Sequence, residues 1–193
     1  MEPRKLLDIL VTTERLKNVT RHCYTSNGRH ESVAEHSWMS AMMALLLRDE
    51  FPQANMDKVI KMCLIHDMGE AFTGDIPAFD KDAGNEQREA RLLDAWVTSL
   101  PEPYCTDFRE LYAEMAQLQT LEARIYKAID NLEAVIQHNE SDISTWLPLE
   151  YDLQLRYGRE NVEFSSYMKE LKAEIDHWTR RKIAEESKEP ELV

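Results

Sequence analysis

Apolar residues recur every three or four positions along almost the whole chain, the period of a helix that buries one face. Leu6, Leu7, Leu10 and Val11 make one such stripe, inside a first helix expected from Pro3 to about Val19. No alternation of apolar and polar residues persists long enough for a sheet. Only 5 Gly and 7 Pro are spread over 193 residues, too few for a loop-rich β fold. The expectation is an all-α fold, a single-domain helical bundle over residues 1–183. A flexible acidic tail, 184–193, contains Pro190 and has little to bury. A chain of this length buries about 70% of its extended surface, so it needs no disulfide or metal merely to fold.

Local signals divide the pattern. Thr20 to His30 is a polar stretch carrying Gly28. Ser32-Val33-Ala34-Glu35 matches a capping box, in which each side chain satisfies the other's free backbone N–H, so a second helix starts there and runs to about Asp49. Pro52 interrupts the chain, and a third helix is expected from near Asp57 to Glu70. Thr73-Gly74-Asp75-Ile76-Pro77 reads as a turn, Glu86 to Leu100 as a charged amphipathic helix, and Thr106 to about Asn139 as one long helix or two. Closing helices follow from about Asp152 and over 162–182.

Charge narrows the partners. The net charge of −13 argues against a nucleic-acid polymer, whose phosphates need a basic face. The acids are unevenly placed, however: residues 1–30 hold six Lys or Arg against three acids, and Arg15 to His30 holds no acid at all. A small anionic ligand therefore stays open. Cys23, Cys63 and Cys105 are odd in number and form no CxxC pair, which predicts free thiols in a reducing compartment. Met1 to Leu10 is polar rather than signal-like, and the longest apolar run, Ala41 to Leu47, is far below the ~20 residues of a membrane span. These features predict a cytoplasmic protein with no membrane partner.

Some polar residues stand where apolar ones are expected. Val59 to Ile65 is apolar except for Lys61, and His66, Asp67 and Glu70 follow directly. At 100° per residue Val59, Cys63, His66 and Glu70 share a face, with Asp67 at its margin. Buried carboxylates need a partner, and a divalent cation satisfies carboxylates and a neutral imidazole together. A helix end emerging into water would also account for them. His36 lies in the first turn of the capped helix, on the side of Met39, Met43 and Leu47. Asp130 falls in a helical stretch that is apolar on nearly every side, with Lys127 one turn earlier as an ordinary ion-pair partner. Periodicity does not choose Asp130 over Asp94, Glu122 or Glu133 as a further ligand.

The ordered set of His36, His66-Asp67 and a distant Asp130 resembles the H…HD…D signature of the HD-domain phosphohydrolases. Glu31 to Ser37, His66-Asp67-Met68-Gly69-Glu70, Thr73-Gly74-Asp75 and Lys127-Ala128-Ile129-Asp130 are similar to the 5′-deoxynucleotidase subgroup, as is Arg21, fifteen residues before His36. The resemblance spans roughly Leu6 to His138. It implies a bundle of the HD-domain type and one divalent metal ion held by His36, His66, Asp67 and Asp130. Two nitrogens and two oxygens suit Mn, Co, Zn, Ni or Fe. It further implies Glu70 and Asp75 as catalytic residues, Arg21, His22 and Lys127 as substrate-binding residues, a nucleotide substrate and a homodimer, for which the helices near Trp146 to Trp178 offer a face. Glu70 would handle protons for the attacking water, and Asp75 would meet the leaving oxygen or the sugar. Bacterial members of the subgroup carry tryptophan where this chain has His22, so the preference for a 2′-deoxy sugar stays open. Hydrolysis of a nucleoside polyphosphate, an alarmone or another small phosphate ester, and metal-bound sensing without turnover, are the alternative functions.

Overall fold

The computed structural model describes residues 1–77, 79–80 and 82–186. They cluster into two compact units: Met1–His22 with Glu31–Tyr126, and Cys23–His30 with the chain from Lys127 onward. Both are helical, as expected, and one short hairpin is added. That hairpin, β1 (Thr20–Tyr24) and β2 (His30–Ser32), occupies the stretch expected to be polar loop. Strands this short leave too few alternating positions for a period to register. The Thr25 N–H donates to the Arg29 carbonyl at 2.7 Å, and Gly28 takes φ +81° at the tip, a conformation that suits glycine.

In the first unit α1 (Pro3–Glu14) stops earlier than its apolar pattern suggests, and the chain tightens into a 3₁₀ turn, Arg15–Lys17. Leu16 is buried there, but no residue of α1 itself is, and Leu6, Leu7, Leu10 and Val11 all stand exposed. The capping box forms as expected. Glu35 donates its N–H to Ser32 Oγ at 3.3 Å, the Ser32 N–H donates to Glu35 Oε2 at 2.9 Å, and α2 (Val33–Leu46) follows. It ends in a 3₁₀ turn, Arg48–Glu50, where the helix was expected to continue. Helix α3 (Met56–Ile65) is capped by the Asn55 side chain and packs on α2, with Val59, Met62 and Cys63 fully buried.

The third helix does not reach Glu70. It ends at Ile65, a tight turn carries His66 to Gly69, and a separate short helix, α4 (Glu70–Thr73), ends at Gly74 with φ +80°. Phe72 and Ile65 then join Leu93 and Trp96 around a core of Leu16, Val33, Met68 and Ala71. Helix α5 (Ala83–Thr98) starts at an Asp82 cap. The next stretch forms two helices, α6 (Tyr104–Gln117) and α7 (Leu121–Glu140), divided where Leu118 turns left-handed at φ 52°. Helix α7 passes from the first unit into the second after Tyr126.

The second unit continues α7 with α8 (Glu150–Arg156) and α9 (Ser166–Glu186). Its interior is unusually polar but hydrogen-bonded. His138 Nε2 and Glu150 Oε1 lie 3.0 Å apart, Asn139 donates to Thr179 at 3.0 Å, and Lys172 pairs with Asp176 while donating to the Gln154 carbonyl at 3.2 Å. Trp146 is 6% exposed and gives its indole N–H to the His138 carbonyl, so it belongs to the core. Ala184 to Glu186, expected in the tail, belong to α9; residues 187–193 lie outside the described residues. All three cysteines are free and buried. No described helix is long and apolar enough to cross a membrane.

Candidate metal centre and active site

The site grows from the place where α3 ends. His66 Nδ1 lies 2.8 Å from the Cys63 carbonyl, which only accepts, so Nδ1 carries a proton and Nε2 is the nitrogen left to bind an ion. That Nε2 lies 3.2 Å from His36 Nε2, on α2, and 3.1 Å from Asp67 Oδ2; His36 Nε2 and Asp67 Oδ2 are 3.8 Å apart. The two imidazoles are buried, and Asp67 is three-quarters covered. The spacing suits a metal ion. Ligand bonds of about 2.1 Å place neighbouring ligand atoms roughly 3.0–3.4 Å apart. The Cys63 carbonyl then supplies the outer hydrogen bond that fixes the tautomer of a ligating histidine. These three residues form a group able to hold a divalent cation.

Around it lie the groups expected to act on substrate. Glu70, first residue of α4, is buried, and its Oε2 has no hydrogen-bond partner among the described residues. Burial, with the charges of Asp67, Asp75 and Glu89, pushes its carboxyl up to about 10 against the opposing pull of Arg21. Asp75, just past Gly74, is also raised. Burial is the main cause and Asp67 adds to it, while Arg21, His22 and His36 oppose it. Arg21 projects from β1 and donates to Glu31 Oε2 on β2 at 3.4 Å; the Glu31 side chain is 2% exposed. Of the other cations in the acid-free stretch, Arg15 lies over the Phe72 ring at 5.9 Å, and Lys17 and Arg29 are exposed. The structure thus brings His36, His66 and Asp67 together, with Glu70, Asp75, Arg21 and His22 coupled to them electrostatically. In the second unit Lys127 donates to Asp130 Oδ2 at 2.7 Å, the ordinary ion pair that their spacing also allowed.

Sequence reasoning missed several supporting residues. Tyr112, on α6, donates its hydroxyl to the Ile65 carbonyl at 2.6 Å and so fastens the last turn of α3; burial and the Asp67 charge raise its phenol pKa. The Tyr126 ring meets His66 edge-on, 5.6 Å between centroids. Glu89, on α5, covers Gly69 so closely that a Cβ there would lie 2.6 Å from the Glu89 Cγ. None of the three carries a sequence signal, since each is placed by packing between helices far apart in the chain. Glu31 did carry one: it is an acid beside the capping box, ten residues from the arginine it pairs with.

A mainly helical fold with a His-His-Asp cluster beside buried carboxylates defines a metal-dependent hydrolase scaffold. Residues 13–172 match the family described as HD domain, and the chain belongs to that family. It is 32% identical to human 5′-deoxynucleotidase HDDC2 over 141 residues, which is 71% of this chain and 68% of that one. It is 31% identical to 5′-deoxynucleotidase HDDC2 of Xenopus laevis over 161 residues, 81% of this chain and 74% of the relative. Among solved structures, a predicted metal-dependent phosphohydrolase from Magnetospirillum magnetotacticum superimposes with a TM-score of 0.76 at 27% identity, covering 94% of this chain and 95% of that one. A conserved hypothetical protein from Pyrococcus furiosus gives a TM-score of 0.71 at 31% identity, covering 89% and 99%.

Proposed function

We propose that this chain is a metal-dependent phosphomonoesterase that hydrolyses nucleoside 5′-monophosphates, deoxy forms foremost, to nucleoside and phosphate. The observation that carries the reading is the three-atom cluster of His36, His66 and Asp67 set among Glu70, Asp75 and Arg21. The curated relatives named 5′-deoxynucleotidase support the substrate class. Asp130 is the fourth ligand in this reading, and the ion is one of Mn, Co, Zn, Ni or Fe. When bound, such an ion polarises a phosphoryl oxygen and lowers the pKa of a bound water.

The protein's own groups do the rest. Arg21 offers a planar, two-pronged donor to the phosphate, braced from behind by Glu31. Lys127 adds positive charge for the phosphate. Glu70 receives the proton of the attacking water only as a carboxylate, the form that a cation held beside Asp67 would favour. Its pKa depends on the charge at Asp67, so neutralising Asp67 removes one of the contributions that hold it protonated. Asp75 keeps its proton to higher pH than an ordinary carboxyl and is suited to deliver it to the departing 5′ oxygen. His22 lies at the sugar end.

The enzyme works in this reading as a cytoplasmic homodimer. Three free, buried thiols fit a reducing compartment, and the exposed apolar face of α1 supplies a surface for a second copy. The test is phosphate release from a panel of nucleoside mono-, di- and triphosphates by protein loaded in turn with each metal. Monophosphates should be cleaved preferentially. Absence of release by metal-filled protein, or preference for a polyphosphate, refutes the proposal.

A further inference from the structure

A nucleoside monophosphate has three parts, and the groups assigned above answer to two of them, phosphate and sugar. The third is a flat, apolar base. Phe79 stands four residues beyond Asp75, where the Asp80 N–H closes a turn onto the Pro77 carbonyl at 2.8 Å. It is 38% exposed, so an aromatic ring faces water there. It is also held in place. The His22 ring meets it edge to face, 5.4 Å between centroids with the planes at 82°. His22 follows Arg21 directly in β1, and both oppose the upward shift of the Asp75 carboxyl. One strand residue thus answers to the phosphate, and its neighbour in the strand holds an exposed aromatic ring.

We propose that Phe79 is the platform on which the nucleobase stacks, with His22 as the residue that positions it. The inference rests on the nucleoside monophosphate reading and adds to it a mode of base recognition. A phenyl ring has no hydrogen-bonding group, and every base offers a π face, so stacking of this kind binds all bases without choosing strongly among them. Its strength in other proteins leads us to expect roughly a 10-fold effect on KM.

The experiment compares wild type and Phe79→Ala on the four deoxynucleoside 5′-monophosphates and on 2-deoxyribose 5-phosphate, which keeps phosphate and sugar but lacks the base. Phe79→Ala should raise KM for all four nucleotides by a similar factor, with kcat little changed, and leave kcat/KM for the sugar phosphate as it was. Phe79→Trp should restore the nucleotide KM. An equal loss on the sugar phosphate assigns Phe79 a merely structural role and overturns the inference, as does an unchanged KM for nucleotides. Wild-type protein that cleaves the sugar phosphate but no nucleotide also overturns it. Metal-filled wild type that cleaves none of the five refutes the phosphomonoesterase reading itself, and this inference falls with it.

Discussion

Replacing Glu70 by glutamine should abolish turnover and, in metal-free protein, stabilise the fold. The side chain is buried, one of its oxygens has no partner among the described residues, and its carboxyl is pushed from 4.5 up to about 10, mainly by burial and then by Asp67 and Asp75. In the native state it therefore holds a proton at pH 7 that the unfolded chain has already released. The sign follows: a raised native pKa contributes its full stability below pH 4.5 and loses it progressively as pH rises toward 10. Each unit above the unfolded pKa costs about 1.4 kcal/mol, so the loss amounts to about 3 kcal/mol at pH 7 and to about 0.7 kcal/mol at pH 5. Glutamine keeps the shape and does not titrate. Thermal unfolding after chelation should place Glu70→Gln above wild type by roughly 6–12 °C at pH 7 for a chain of this size. The gap should nearly close at pH 5. Phosphate release by the metal-loaded variant should fall by at least ~100-fold, the usual contribution of a proton-handling group. A variant less stable than wild type at pH 7, or a gap independent of pH, would show that burial does not raise this carboxyl. A variant that retains turnover would remove Glu70 from the chemistry.

Three further outcomes test the rest of the structure. Asp67→Asn removes the charge that faces the two imidazoles, so metal content by elemental analysis should drop steeply while helix content by circular dichroism stays unchanged. Gly69→Ala sets a methyl group 2.6 Å from the Glu89 Cγ and should lower both stability and activity, and Gly69→Ala with Glu89→Ala should recover most of the stability in a melting assay. Lys172→Met leaves Asp176 buried with only its more distant arginines, Arg159 and Arg180 at 3.8 Å, and should cost about 3 kcal/mol in urea unfolding, whereas Lys172→Met with Asp176→Leu should regain most of it.

What could be read from the sequence was mostly what neighbours in the chain decide. The start of α2 was legible because Ser32 and Glu35 cap it reciprocally within four residues. The free cysteines were legible from count and spacing. The apolar stripe of α1 was legible as a stripe, but its exposure was not, because periodicity says which residues share a face and not what covers it. Bringing His36 to His66 depends on the packing of α2 against α3, thirty residues apart. That step came from the family resemblance, since a lone histidine on an apolar face has many ordinary explanations. Glu89 and Tyr112 reach the site from α5 and α6, and nothing near them in the chain distinguishes them from other surface acids and half-buried tyrosines.

The early end of α3 departs most instructively from expectation, because it alters which groups can cooperate. A continuous α-helix would align His66 with Glu70 and leave Asp67 at the margin. Instead the Met68 N–H bonds to Ile65, the Glu70 N–H to Asp67 and the Ala71 N–H to Met68, each three residues back. In that tighter winding residues i and i+3 stand one above the other, so Asp67 comes into line with Glu70. The alignment is costly wherever no cation offsets it, since Asp67 is the largest of the charges raising the Glu70 carboxyl. It is what the proposed chemistry requires, for the carboxylate that holds the cation and the carboxylate that takes the water's proton then act on the same small volume. No proline marks the change of winding. Tyr112 bonds the Ile65 carbonyl from another helix, and Gly69 leaves room for Glu89, so contacts from α5 and α6 shape the turn on which the site is built.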